Sequence, residues 1–362
     1  MTGVEWPVPS TPARPGRLRR GCLVAAAAAA AVVVVLIGIV LVVAWLRVHE
    51  TVDAPVLRDV SLPSPGEALP EGHVAFDSDR TGNYEVFAMA PDGSGARQLT
   101  DDQRYDSWWA RISPDRHYVL FYRTPAGVHD ANGAYRKTSL WVMRADGTGE
   151  TELLPDDAYG WIQQGHAEWS PDGKHLVMFG GNAVNPQIWV TDATGRQRRQ
   201  VTNRSGSNID PSWSPDGKMI VFTGCPRAVC FFYNYEIYTV AASGGDATRL
   251  TDDGVRDHDP YFSPDGSRIA FLSMTGRSGG DHPAGEWNIR MVEAEGTGLR
   301  RVTDDGQVNS KPEWSRDGRV LWFHRLVYGE PGGGFDLWTV RPDGTGLTRV
   351  TNGPGANEYP ST

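Results

Sequence analysis

A twelve-residue pattern recurs along this chain and restricts it to one kind of architecture; its clearest copy is Pro211–Phe222, Pro-Ser-Trp-Ser-Pro-Asp-Gly-Lys-Met-Ile-Val-Phe. An aromatic-bearing segment enters Ser-Pro-Asp-Gly and an apolar segment leaves it. Ser214 can bond the backbone at the first position of a type I turn, Pro215 pre-sets φ at the second, and Gly217 accepts a positive φ at the exit. The same turn returns at Ser170–Gly173 and Ser263–Gly266, with imperfect copies at Ser315-Arg316-Asp317-Gly318 and Ser113-Pro114-Asp115-Arg116. Arg116 stands where glycine is favoured, at a cost of roughly 1 kcal/mol. A second signature keeps step: Leu99-Thr100, Leu153-Leu154, Val201-Thr202, Leu250-Thr251, Val302-Thr303 and Val350-Thr351 recur at spacings of 48 to 54 residues. Short strands, turn chemistry and this period predict propeller blades.

The repeat units run over 107–154, 164–202, 208–251, 257–303 and 309–351. The first unit starts at Gly72 without its first strand. The missing piece lies at the other end, where Asn357-Glu-Tyr-Pro-Ser-Thr362 matches Asn208-Ile-Asp-Pro-Ser-Trp213. The expected fold is therefore an all-β, six-bladed β-propeller over 72–362. It closes by pairing the C-terminal strand with blade 1, which leaves no open edge. Before it, 1–20 read as a Pro- and Arg-rich disordered tail, and 47–71 as a Pro-rich stalk. Residues 21–46 carry no charge over 26 positions, enough for a transmembrane helix. Arg14, Arg17, Arg19 and Arg20 precede this run, which places the N-terminus in the cytoplasm and the propeller outside. A cleaved signal peptide is the alternative; the run is long for one, and no small-x-small site follows it.

Trp-Ser-Pro-Asp-Gly, an Ile-Trp or Ile-Tyr strand, an Asp-Gly turn and Leu-Thr recur in that order, and in this the chain resembles the TolB family of WD-like propellers. The resemblance covers about 72–362 by pattern. It implies the propeller fold and an envelope setting. TolB itself is a soluble periplasmic protein whose propeller follows an α/β domain and contacts envelope partners; here a membrane helix and a stalk stand in that domain's place. Related propellers serve as sugar lyases and as gating domains of prolyl-peptidases, and no hydrolase domain follows this one.

Net charge is −9 with a pI near 5.5, which argues against nucleic acid as a partner. Four antiparallel strands alternate direction, so the short Ser-Pro-Asp-Gly and Asp-Gly turns share one face. The long connections Arg123–Ser139, Thr223–Asn234, Ser273–Trp287 and Arg325–Phe335 share the other, which is where binding is expected. Aligning the units on Pro211 gives two rings. Ser107, Gln164, Asn208, Asp257, Asn309 and Asn357 are expected to bond neighbouring loop backbone. Trp109, His166, Asp210, Asp259, Lys311 and Tyr359 are expected at the channel mouth, where they suit a polar ligand or a protruding peptide, or are simply solvated. His166, His258, Asp210 and Asp259 are of the types that hold a divalent metal. Gly276-Arg-Ser-Gly-Gly280 fits Gly-x-Ser-x-Gly but sits in a Gly-rich loop rather than at a strand-to-helix elbow. Cys225 and Cys230 read as a local disulfide in an extracytoplasmic domain, or as two thiols.

These readings converge on a single-pass membrane protein that displays a monomeric propeller as a protein- or glycan-binding scaffold of the bacterial envelope. The competing reading is a metal-assisted lyase or hydrolase acting on envelope polysaccharide or peptide.

Overall fold

The computed structural model describes residues 56–128, 134–225, 235–275, 286–327 and 334–362. The predicted tail (1–20), the membrane helix (21–46), the start of the stalk, Cys230 and Gly276–Gly280 lie outside the described residues. Among the described residues no helix is long and apolar enough to cross a membrane.

Six four-stranded antiparallel sheets make up the ring, with two short 3-10 turns at Ala134–Arg136 and Ala158–Gly160 as its helical content among the described residues. The innermost strands are Tyr105–Ile112, Gln163–Trp169, Asn208–Trp213, Arg256–Phe262, Asn309–Trp314 and Asn357–Ser361. The last completes blade 1: it pairs with Val74–Ser78 through Ala75↔Ser361, Asp77↔Glu358 and Ser78↔Asn357. The ring closes as the repeat arithmetic predicts.

Each recurring residue has an observed partner. In the turns, Ser214 Oγ donates to Asp216 Oδ1 at 2.7 Å and accepts from Met219 N at 2.9 Å, and Gly217 sits at φ 70°. The Thr of the Leu-Thr signature ties the outermost strand to the third. Thr100, Thr202, Thr251, Thr303 and Thr351 each accept from a third-strand N–H at 2.8–3.0 Å. Each also donates to a third-strand acid or amide (Glu85, Gln187, Glu236, Asn288, Asp336) at 2.5–3.1 Å. Blade 2 has Leu154 instead, which pairs with Leu140 in an apolar cluster. Between blades, the Trp169 indole donates to Arg111 O and that of Trp314 to Tyr261 O, both at 3.3 Å. Inside the blades, Phe76, Phe121, Phe222, Phe271 and Phe323 occupy one equivalent second-strand position, with Met178 taking it in blade 3; all six are fully buried. Burying side chains of this size stabilises by roughly 1.5–3 kcal/mol apiece.

Residues 56–70, assigned above to the stalk, carry no helix or strand and lie along the short-turn face of blades 2 and 3. Tyr118 Oη donates to Pro63 O at 2.9 Å, Arg144 Nε to Ser64 O at 2.8 Å, and Leu69 N to Arg116 O at 2.9 Å. Arg196 donates to Arg58 O. Leu57, Val60 and Leu62 pack on the apolar cluster of blades 2 and 3. Among the described residues, the segment leading into the ring thus lies on the short-turn face.

Candidate functional site

In every innermost strand the ladder slips by one residue at the same place, for example between Ile209 and Ser212 or between His258 and Tyr261. The slip is a β-bulge, which re-aims one side chain. Each slip holds one member of the predicted ring, in a left-handed conformation: Trp109, His166, Asp210, Asp259, Lys311 and Tyr359 have φ between 45° and 58°. For bulky L-residues that conformation costs roughly 1 kcal/mol each. The strain is thus repeated once per blade around the axis.

The six side chains converge. Trp109 stacks on the His166 ring with centroids 3.8 Å apart and planes 10° apart. On Trp109 also rest Lys311 Nζ, 3.5 Å from the ring centre, and the Arg111 guanidinium at 4.1 Å. Tyr359 leans against it at 5.1 Å. His166 Nδ1 stands 2.6 Å from Asp210 Oδ1, an ion-pair distance without hydrogen-bond alignment. Trp109, His166, Asp210 and Lys311 are buried, whereas Asp259 and Tyr359 are half-buried. The ring is therefore packed into the channel rather than spread around an open mouth.

Its acid–base half is held by neighbours. Arg256 Nε, always protonated, donates to His258 Nε2 at 2.9 Å. His258 therefore carries its proton on Nδ1 and donates it to Asp210 Oδ2 at 3.0 Å. Tyr135, brought over the channel by the long blade 2 connection, meets His166 Nε2 at 2.6 Å. Burial opposes charge on Asp210, but the His166 and His258 imidazoles hold its carboxyl well below the usual range. Asp259 goes the other way: burial, then the Asp210 charge, push it well above that range. Burial lowers His258, the bond to Asp210 opposing. One ligand atom each from His166, Asp210 and Asp259 lies within 4.8 Å of the others, a donor set that fits a divalent cation. His258, placed among the metal candidates by sequence, instead orients Asp210 from behind.

Four of the second predicted ring bond backbone as expected: Gln164 Nε2 donates to Thr138 O and Pro155 O, Asn208 Nδ2 to Gly206 O, Asn309 Nδ2 to Trp287 O, and Asn357 Nδ2 to Gly355 O, at 2.6–3.3 Å. Ser107 and Asp257 instead accept from side chains, Arg123 Nε and Ser273 Oγ. Cys225 is buried and disulfide-bonded.

Two residues beyond the bulge lies a third ring that sequence reasoning missed: Arg111, Glu168, Ser212, Tyr261, Glu313 and Ser361. Arg111 Nε donates to Glu168 Oε1 at 2.6 Å, Tyr261 donates to the same oxygen, and Lys311 Nζ donates to Tyr261 Oη at 2.6 Å. Burial and Glu313 push the Glu168 carboxyl up, against the pull of Arg111. The signal was in the same alignment, because strand alternation brings the next channel-facing residue two positions on.

Comparison with known proteins agrees with this geometry. Residues 161–278 match the TolB beta propeller domain. A protein TolB homolog of Chlorobium chlorochromatii is 28% identical over 152 residues, 41% of this chain and 30% of that one. The chain spans about a third of the length of the curated relatives it matches first, at 36% and 30%. TolB from Acinetobacter baumannii superposes with a TM-score of 0.62 at 17% identity, over 80% of this chain and 66% of that one. An oligogalacturonate lyase in complex with manganese gives 0.52 at 14%, over 78% and 74%. From repeat, ring and matched segment together, the chain carries a TolB-like six-bladed β-propeller.

Proposed function

We propose that the chain is an extracytoplasmic binding module of the bacterial envelope, anchored by residues 21–46 and taking a protein segment or a glycan on the long-loop face. The observation that carries this is the bulge ring: six strained, chemically diverse side chains aimed at one axis, two of them still half-exposed. Backbone strain repeated around an axis is the kind of cost that function retains. The relatives named for the Tol-Pal system, such as that of Zymomonas mobilis, support an envelope setting. A photo-crosslinker placed at Asp259 or Tyr359 in cells should capture an envelope protein or glycan. One at Asp265, on the opposite face, should not; equal capture from both would refute the reading. A phosphatase fused after Thr362 should be active only if that end is exported.

A second reading is favoured by His166, Asp210 and Asp259. Together they would hold a divalent cation, with Tyr135 and His258 fixing their orientation as outer partners do. Such a cation would supply Lewis-acid polarisation of a bound sugar or peptide. Mn²⁺ should then raise the melting temperature, EDTA should reverse the rise, and Asp259→Asn should abolish it. A melting temperature indifferent to all three removes the metal-assisted reading and leaves the scaffold.

A further inference from the structure

Both departures from Ser-Pro-Asp-Gly are arginines, and they meet. In the regular turns the exit glycine of one blade abuts the proline of the blade before. A Cβ on Gly173 would lie 3.9 Å from Pro114 Cδ, one on Gly217 3.9 Å from Pro171 Cδ, and one on Gly318 3.7 Å from Pro264 Cδ. Blade 1 has no such turn, because its first and second strands, Asn357–Ser361 and Val74–Ser78, come from opposite ends of the ring. Arg116 in blade 2 therefore has no proline to abut, and Arg316 in blade 6 has no glycine to receive. What remains is a notch at the seam, a cavity of about 540 Å³ lined by Arg116, Arg316 and Arg319, with Trp322, Val320 and Pro91 as apolar wall.

The charges at the notch are incompletely matched. Arg316 Nη2 donates across the seam to Pro114 O at 2.6 Å. Arg116 gives Nε and Nη2 to Leu69 O, Pro70 O and His73 O at 2.8–3.0 Å, while its buried Nη1 has no partner among the described residues. Burial, then the neighbouring Arg316, lowers Arg116 from the ordinary guanidinium range, with Glu71 opposing. The other acid at the notch, Asp317, spends Oδ1 on Ser315 Oγ at 2.7 Å and on Arg319 N at 3.1 Å, while its Oδ2 pairs loosely with the exposed Arg319 Nε at 3.5 Å, which leaves three guanidinium charges against Glu71 and Asp317.

We propose that the seam notch is a binding site for a phosphate ester carried on an apolar body. The exposed guanidinium groups of Arg316 and Arg319 stand beside the unspent Nη1 of Arg116, and guanidinium groups match phosphate geometry. The indole wall suits an alkyl or aryl substituent. The source is either a soluble phosphate ester or the headgroup of a phospholipid.

The test is calorimetric titration of the full-length protein with inorganic phosphate, phenyl phosphate and dihexanoyl phosphatidylglycerol. One of the two organic phosphates should bind at least about tenfold (1.4 kcal/mol) more tightly than inorganic phosphate. The tighter of the two identifies the source as lipid or soluble. Arg316→Gln should weaken binding, but it also removes the bond to Pro114 O. Arg319→Gln, at an exposed side chain, should weaken it as well without touching that bond. No binding of any probe, equal affinity for inorganic and organic phosphate, or unchanged affinity in both variants overturns the assignment.

Discussion

Glu358, in the closing strand, carries the most exacting stability prediction. It is 7% exposed, Tyr84 Oη donates to its Oε1 at 2.8 Å, and its Oε2 lies 4.0 Å from His324 Nε2. Burial pushes the carboxyl from its ordinary 4.5 up to about 7, the Tyr84 bond opposing and Asp79 adding. Below pH 4.5 the group is protonated folded and unfolded alike, and contributes nothing. Above 7 it is ionised in both states, and the folded state bears the whole cost of a buried charge. Stability from this group is therefore lost as pH rises from 4.5 to 7. The rise of 2.5 units (7 − 4.5), at 1.36 kcal/mol per unit, makes the loss about 3 kcal/mol. Glu358→Gln keeps the acceptor for Tyr84 and cannot ionise. Urea unfolding followed by tryptophan fluorescence should show the variant gaining about 3 kcal/mol on the parent between about pH 4 and pH 8. Buried acids away from Glu358 tilt both curves alike and cancel in the difference, whereas Asp77, its cross-strand partner, is raised by burial and then by the Glu358 charge and so adds to the variant's gain. Parallel curves would refute the argument.

Two further outcomes follow from the ring. Deleting Asn357–Thr362 strips blade 1 of its inner strand and should lower the melting temperature sharply; a truncated protein melting like the intact one would deny the closure. Thr303→Val leaves Ile289 N and Asn288 Oδ1 without the hydroxyl between them, which should cost about 2–4 kcal/mol by chemical denaturation, with a loss under about 0.5 kcal/mol counting against the outer-strand tie.

The fold was legible because repetition did the work. Five copies of one turn and six of one strand ending fixed blade number, strand order and closure, and the mismatch at Gly72 located the missing strand. The bulge ring was legible as an alignment column, but its conformation was not: nothing in Trp109 or Lys311 announces a positive φ. That the column is packed inside the channel rather than lining its mouth depends on side-chain volumes summed across the ring, as in Trp109 lying between His166 and Lys311. The Arg111–Glu168–Tyr261 network escaped notice because these types differ from blade to blade and look unrelated in a column. Residues 56–70 read as a spacer because their contacts, such as Tyr118 with Pro63, join positions with no shared period.

The way the chain is laid onto the short-turn face has a mechanical consequence. Tension applied at residue 56 does not act first on the blade 1 sheet. It must peel Arg58, Pro63, Ser64 and Leu69 from Arg196, Tyr118, Arg144 and Arg116 one after another. Such contacts yield in sequence, so the segment would pay out under load like a row of stitches while the closing strand stays seated.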